Sequence, residues 1–399
     1  MLMSQLRGAG GGAQNRVLET IYYRTPHSFY NTLEVKSISD TVLNLSFSKM
    51  KCWRRCRQEF HYKYVDKLER KLPAVPLVRG NIIHECINAW MNRRDWREVL
   101  AAYVSQYEKL FAEERDLYGD LPTDIEQIME NYTRKYQNDP FEYPAVELPF
   151  SVHLFGNVNF TGRIDALARD RDKGLWVMET KTHKKLPDDD VRLLNVQAVF
   201  YAWAVPHIEG YEEEQVKGIL WNYIRTKPPA IPEVLKNGTL SKRKNIDTDY
   251  HTYLKAVREN GEDPNKYADI LQKLEEQTDR FFRRIYFPKP SPTLVFNIMR
   301  DVEITANEIL AYLGSDEEEN WTGPFRYRNL NPFQCKNCSY RPLCEAELFD
   351  MDVEFVKRTM FQPRVRPDEN AGPPRLEIIH QKPKALENFR HVPKWRRKG

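Results

Sequence analysis

The chain has 399 residues, which allows one large domain or two modest ones, and its 41% hydrophobic content is ample for a globular core. No apolar run approaches a membrane span and residues 1–14 lack a signal-peptide core, so a membrane protein or an exported one is not expected and the expected location is cytoplasmic. The net charge of +4 is uneven: residues 357–399 hold twelve Lys/Arg against four Asp/Glu, a basic tail that suits a polyanion or serves only as a solubilising extension.

In chain order, residues 1–38, with the cluster Gly8, Gly10, Gly11 and Gly12, read as a flexible leader. Ser46-Phe47-Ser48 opens a segment over 49–68 rich in Arg, Lys, Tyr and Phe, with Ser48 as the expected helix N-cap. Pro73 and Pro76 mark a break. From Gly80 an amphipathic pattern runs through Trp90, Trp96, Leu100, Tyr103 and Tyr107, predicting one helix, and 124–136 predicts another. Strands are expected over 146–150 and 152–155. They lead into a hairpin with strands 163–167 and 175–181 around the polar turn 169–174. Residues 187–190 read as a turn and helix start, and 191–205 as a helix with Gln197 and Tyr201 one turn apart on one face. Residues 218–224 form a buried strand, a Pro- and Lys-rich connection covers 226–245, and helices are expected over 247–258, 264–286 and 301–312. The order predicts an α/β fold, a mixed central β-sheet flanked by helices, with a helical annex carrying cysteines. The expected organisation is a leader (1–38), one catalytic domain (39–350) and a basic Pro- and Arg-rich tail (351–399).

The hairpin concentrates charge on apolar strands. Asp165 interrupts one strand, and Glu179 and Lys181, two residues apart, share a face of the other. Such charges are costly beside apolar strands unless they are solvated at an edge or engaged in a site. Two carboxylates on adjacent strands suit a hard cation, Mg²⁺ or Mn²⁺. Such a cation polarises a phosphate and lowers the pKa of a bound water, and a neighbouring ammonium steadies developing negative charge. The alternative for the hairpin alone is an ordinary solvated turn. Six cysteines in a cytosolic chain argue for metal or cluster ligation rather than disulfides, and three are clustered as Cys335-x2-Cys338-x5-Cys344.

The ordered set Gly80-x3-His84, Gly162-Arg163-Ile164-Asp165, Glu179-Thr180-Lys181 and Gln197-x3-Tyr201 resembles the PD-(D/E)XK nucleases of the RecB type. The resemblance covers roughly residues 40–350. It implies that His84, Asp165, Glu179 and the Thr180 carbonyl bind the metal and that Lys181 serves catalysis. It also implies that Gln197 and Tyr201 support the site and the DNA. Cys56, with its lead-in Ser46-Phe47-Ser48, and Cys335, Cys338 and Cys344 are similar to the iron–sulfur branch of that family, which includes AddB-type, CRISPR-adaptation and phage-encoded nucleases. The resemblance implies a [4Fe–4S] cluster; a Cys₄ Zn²⁺ site fits the ligands equally well. Cys52 and Cys86 are left over, Cys86 as a buried free thiol. Residues 238–244 with Thr248 and Tyr250 are similar to segments of phage members and are expected only to contact DNA backbone.

The expected activity is therefore a metal-dependent DNA exonuclease acting on strand ends in recombination or DNA processing, in a bacterial or phage-infected cell. Alternatives are a DNA-binding assembly subunit of a recombination or CRISPR-adaptation complex, and a structure-specific endonuclease. The partners implied are DNA, an annealing protein, integrase or helicase, and a second copy of the chain in a homo-oligomer. No G-x4-G-K-[ST] motif occurs in these residues, so a fused helicase is not expected.

Overall fold

The computed structural model describes residues 42–186, 195–243, 245–314 and 326–364. The expected turn and helix start at 187–190, the first residues (191–194) of the helix expected over 191–205, the leader and most of the basic tail lie outside these residues.

Strand β1 (Leu43–Leu45) leads into helix α1 (Phe47–Arg55). The helix is capped by Ser46, whose hydroxyl accepts the Lys49 N–H at 3.2 Å. The cap thus lies two residues before the expected Ser48, which is exposed on the first turn. An earlier start places Met50, Cys52 and Trp53 together on the buried face. Cys56 breaks the helix in extended conformation, and α2 (Arg57–Phe60) continues into a π-helical turn, His61–Val65, before β2 (Leu68–Arg70).

Helix α3 (Val75–Met91) has Pro76 in its first turn, where an N–H would lack a partner anyway, so that proline starts the helix rather than ending one. The single helix expected from Gly80 to Tyr107 is two helices. Arg93, with φ of 57°, turns the chain, and Asp95 caps α4 (Trp96–Tyr107) by accepting the Arg97 N–H at 3.0 Å. Helices α5 (Ala112–Tyr118) and α6 (Leu121–Lys135) follow.

The central sheet is mixed. Strands β3 (Glu142–Phe155) and β4 (Val158–Arg169) are antiparallel, and β4 turns into β5 (Leu175–His183) as the sequence predicts. Helix α7 (Val196–Ala204) lies between β5 and the parallel strand β6 (Val216–Arg225). Beyond β6, residues of α8 (Tyr250–Glu259) and α9 (Ala268–Glu275) form a small cluster around Tyr253, Tyr267 and Leu271. The chain then returns as β7 (Phe282–Pro288), antiparallel to β6. Helix was expected over 264–286; helix ends at Glu275, and the last residues of that stretch, from Phe282, are instead the sheet's outer strand. Pairing with β6 overrides the local pattern, and buried Arg284 anchors it through Asp139 at 2.8 Å. Helix α10 (Pro292–Gly314) lies against α1 and α7. Helices α11 (Pro332–Lys336), α12 (Arg341–Leu348) and α13 (Val353–Met360) and strand β8 (Phe361–Pro363), which pairs with β2, form the annex.

Both sheet faces are covered. Trp53, Phe160, Phe200 and Trp221 pack on the face under α1, α7 and α10, and Ile83, Ile87, Ile125 and Ile128 on the face under α3 and α6. This is the mixed α/β architecture expected. No helix among the described residues is long and apolar enough to cross a membrane.

Gly218 shows how tightly β6 and β7 approach: a β-carbon there would lie 1.9 Å from the Phe287 carbonyl oxygen. Gly218→Ala is expected to destabilise the fold by about 1–3 kcal/mol, the usual cost of overpacking. Urea unfolding checks this, and a change within about 0.5 kcal/mol would contradict the close approach. At the end of the same strand, Arg225 grips Asp247 through two hydrogen bonds of 2.7 and 2.6 Å, with Arg280 at 3.1 Å. The hydrogen bonds from Arg225, opposed by burial and reinforced by the charges of Arg225 and Arg280, hold the Asp247 pKa below its usual value. Its contribution to stability is present above the ordinary Asp range and is lost as pH falls through the depressed pKa. Asp247→Asn is expected to cost about 1 kcal/mol or less at pH 7, since the cluster is partly solvated. The difference from the parent should vanish at acid pH in thermal melts; a constant difference would refute it.

Candidate active site

The site is set where the sheet opens. Strands β4 and β5 pair only from Arg169–Leu175 to Ala166–Met178, whereas β5 stays paired with β6 as far as His183 and Arg225. Past Met178 the Asp165 carboxylate takes the place of a backbone acceptor: its Oδ2 accepts the Thr180 N–H at 2.8 Å. Asp165 and the Glu179-Thr180-Lys181 run are thereby held together by the backbone of β5, which β6 keeps rigid.

Glu179 is only 1% exposed. One of its oxygens accepts from Lys181 Nζ, and the other, Oε2, is buried without a hydrogen-bond partner. Burial, then the negative charge of Asp165, push the Glu179 pKa up, against the pull of Lys181. Burial opposes the charge of Lys181, but Glu179 and Asp165 outweigh it and hold the ammonium above its usual pKa. The pair is thus an ammonium beside a carboxylate whose negative charge is under-compensated. That is the chemistry of a donor set that accepts a divalent cation.

Two flanking helices complete the cluster. A β-carbon at Gly80 would lie 3.1 Å from Thr182 Oγ1, so glycine lets α3 run close to β5. This brings His84 Nδ1 to 3.9 Å from Asp165 Oδ2. Burial, with the charges of Lys181 and Arg163, lowers the His84 pKa against the pull of Asp165, favouring the neutral imidazole that a metal ligand requires. On α7, capped by Asn195, Gln197 Nε2 donates to the Tyr201 hydroxyl at 3.2 Å, and Gln197 Oε1 accepts from Lys181 Nζ at 3.3 Å. Gly162 has a reason of the same kind. A β-carbon there would lie 2.7 Å from the Phe150 ring and 3.1 Å from the Tyr201 ring, so glycine admits both aromatics over β4. The six side chains singled out in the sequence, His84, Asp165, Glu179, Lys181, Gln197 and Tyr201, are therefore brought into one connected cluster.

Sequence reasoning missed Glu147. It sits in the middle of β3 with φ of 55°, a conformation that L-residues rarely adopt. Its carboxylate accepts from Asn88 Nδ2 at 2.5 Å and pairs with Arg163 Nε at 2.7 Å. Its charge adds to the field that raises the Glu179 pKa. No periodicity marks it. A buried polar relay behind β5 was also not foreseen: Arg284 donates to the Tyr132 hydroxyl at 3.2 Å, Asn222 donates to it at 2.9 Å, and Asn222 also donates to Thr180 Oγ1 at 3.2 Å.

The cysteines lie apart from this cluster. Cys56, Cys335, Cys338 and Cys344 line one cavity of about 270 Å³. Cys52 and Cys86 are buried elsewhere, at 3% and 0% exposure. Burial raises the Cys338 thiol pKa to about 11 and that of Cys344 in the same direction. Among the described residues, no three His, Cys, Asp or Glu side chains are gathered tightly enough to hold a metal ion as they stand, at either place.

The family model described as the PD-(D/E)XK nuclease superfamily matches residues 44–345. A solved structure titled "Crystal structure of SSO0001" is similar at 16% identity, with a TM-score of 0.26, over 75% of this chain and 95% of that chain. No curated protein matches the chain.

Proposed function

Because this chain belongs to the PD-(D/E)XK nuclease superfamily, we propose that it hydrolyses DNA phosphodiester bonds from strand ends with the help of a divalent cation. The observation that carries this is the carboxylate of Glu179: buried, beside Asp165 and Lys181, with one oxygen left without a partner. Asp165, Glu179, His84 and the Thr180 carbonyl would hold Mg²⁺ or Mn²⁺. When bound, the cation supplies Lewis acidity toward the phosphate and lowers the pKa of a ligated water. The chain's own residues do the rest. Lys181, tethered by Glu179 and by Gln197 Oε1, orients the attacking water and offsets negative charge as it develops on the phosphate. Tyr201, bonded by Gln197 and packed edge-to-face on Phe150, limits the freedom of that tether. In-line attack at phosphorus breaks the P–O3′ bond, leaving a 5′-phosphate and a 3′-hydroxyl.

The four thiols that share a cavity support a metal–sulfur group that is structural, tying Cys56 to the loop carrying the other three. The basic tail and the segment around Lys236, Lys242 and Arg243 are suited to the DNA backbone.

The test is cleavage of end-labelled linear and circular DNA by anaerobically purified protein with Mn²⁺, Mg²⁺ or EDTA. Metal-dependent loss of the linear substrate with circles spared is the expected result, and the label position gives the polarity. Cut circles would make the protein an endonuclease. Intact substrates of both kinds would make it an assembly subunit of a recombination or adaptation complex.

A further inference from the structure

The walls of the cysteine cavity contain more than thiols. Gln58 Nε2, Tyr62 Oη and Arg328 Nε are all buried there without a hydrogen-bond partner. Gln58 and Tyr62 are each only 1% exposed. An unpartnered buried donor costs about 1–3 kcal/mol. The Tyr62 hydroxyl has Glu347 and Gln58 near it and Arg328 has the Cys344 thiol, but no well-formed bond closes to any of the three donors, so an acceptor inside the cavity would complete them.

The three donors are also held in place. Gln58 Oε1 accepts from Arg326 Nε at 2.9 Å, which orients the amide. Tyr62 stacks on Tyr340 with ring centroids 5.7 Å apart. Arg328 Nη2 is bonded to Glu347, leaving Nε to face the cavity. The local chain explains the arrangement. The extended kink at Cys56 and the π-helical turn that follows put Cys56, Gln58 and Tyr62 on one wall, while the annex brings Arg328 and the other three cysteines to the opposite side.

We propose that Gln58, Tyr62 and Arg328 donate hydrogen bonds to the sulfur atoms of an iron–sulfur cluster held by Cys56, Cys335, Cys338 and Cys344, and so set its reduction potential. The inference rests on the metal–sulfur reading above and chooses between its two forms. A single Zn²⁺ draws four thiolates in to bonds of about 2.3 Å, which leaves neither a cavity of about 270 Å³ nor acceptors beyond the thiolates. A cluster fills that space with inorganic sulfide, and sulfide and thiolate both accept from N–H and O–H. Such hydrogen bonds stabilise the more negative, reduced cluster and raise its potential. Arg55 and Arg341 in the same lining are each paired with a carboxylate, Glu59 and Glu345, so offsetting the charge that the four thiolates gather falls to the cavity's neutral donors and to Arg328.

The experiment is metal and acid-labile sulfide analysis of the anaerobically purified full chain, then a redox titration followed by electron paramagnetic resonance. The parent is compared with Tyr62→Phe and Arg328→Lys. Tyr340→Phe is the control, because Tyr340 lines the same cavity but its hydroxyl is committed to the Leu68 carbonyl at 2.6 Å. The expected result is iron and sulfide in equal amounts, with midpoint potentials of Tyr62→Phe and Arg328→Lys shifted negative and that of Tyr340→Phe unchanged. An intact cluster whose potential is the same in all variants, or is shifted as far by Tyr340→Phe, overturns the donor assignment and leaves the cluster standing. Zinc without sulfide, or no bound metal, overturns the metal–sulfur reading or its cluster form, and the donor assignment with it.

Discussion

Glu179→Ala is expected to lower metal-dependent DNA cleavage on the order of a hundred- to a thousand-fold, because a lost metal ligand removes several kcal/mol of transition-state stabilisation. The reason lies in the ground state of the protein. Glu179 is 1% exposed, shares its pocket with Asp165, and has one buried oxygen without a partner. A divalent cation relieves both the repulsion and the missing bond, so binding is coupled to this residue more than to any exposed acid. The same coupling gives a readout that does not involve turnover. At a hundred times its dissociation constant a cation stabilises the parent by about 2.7 kcal/mol by mass action, and Glu179→Ala should show almost none of this in melts with and without Mn²⁺. Undiminished cleavage, or a metal-induced stabilisation equal to the parent's, would sink the assignment. Lys181→Ala should impair cleavage while keeping the metal-induced stabilisation, since its ammonium is not a ligand.

The second large effect concerns the annex. Cys338→Ala is expected to reduce bound metal to background and to open residues 326–364 to proteases while the sheet stays protected from hydrogen exchange. The difference follows from what holds each part. Helix α1 is docked independently of the cysteines: Trp53 Nε1 donates to Glu308 at 2.8 Å and Arg54 Nε to Thr305 Oγ1 at 2.9 Å. The annex has a small apolar cluster around Tyr62, Tyr340, Leu343 and Phe361, the three-residue pairing of β2 with β8, and scattered hydrogen bonds such as Tyr340 to the Leu68 carbonyl. A domain with so little core depends on cross-links or metal for order. Cys52→Ala is the matched control and should keep the metal, because Cys52 is buried outside the cavity with its thiol pKa pushed up to about 12, by burial first and Glu59 second. Full metal content in Cys338→Ala, or its loss in Cys52→Ala, would redraw the ligand set.

The sequence announced most of the candidate site because its residues are spaced by simple periodicities. Glu179 and Lys181 share a face by the two-residue repeat of a strand, and Gln197 and Tyr201 by the turn of a helix. The hairpin was legible from its turn chemistry, and the two glycines beside the site turned out to mark close approaches. What was illegible depended on distant partners. Strand β7 has no strong pattern of its own and exists by pairing with β6. The break at Arg93 and Asp95 is hidden because apolar spacing continues across it. Glu147 takes a left-handed conformation, with φ of 55°, that nothing in its neighbours encodes, although the pairing with β4 keeps one register across it, Val146 facing Ala166 and Leu148 facing Ile164.

The docking of α1 also has a consequence for how the chain is made. The Trp53–Glu308 hydrogen bond joins residues 255 positions apart, and Arg57 pairs with the same Glu308 at 2.9 Å. At translation rates of about 5–20 residues per second, α1 waits roughly 12–50 s for the helix that covers it. During that interval Trp53 and Phe60, both 1% exposed in the finished fold, lack the Tyr312 ring of α10 that packs on them. Slowing synthesis before α10 is therefore expected to increase aggregation more than slowing it after α10.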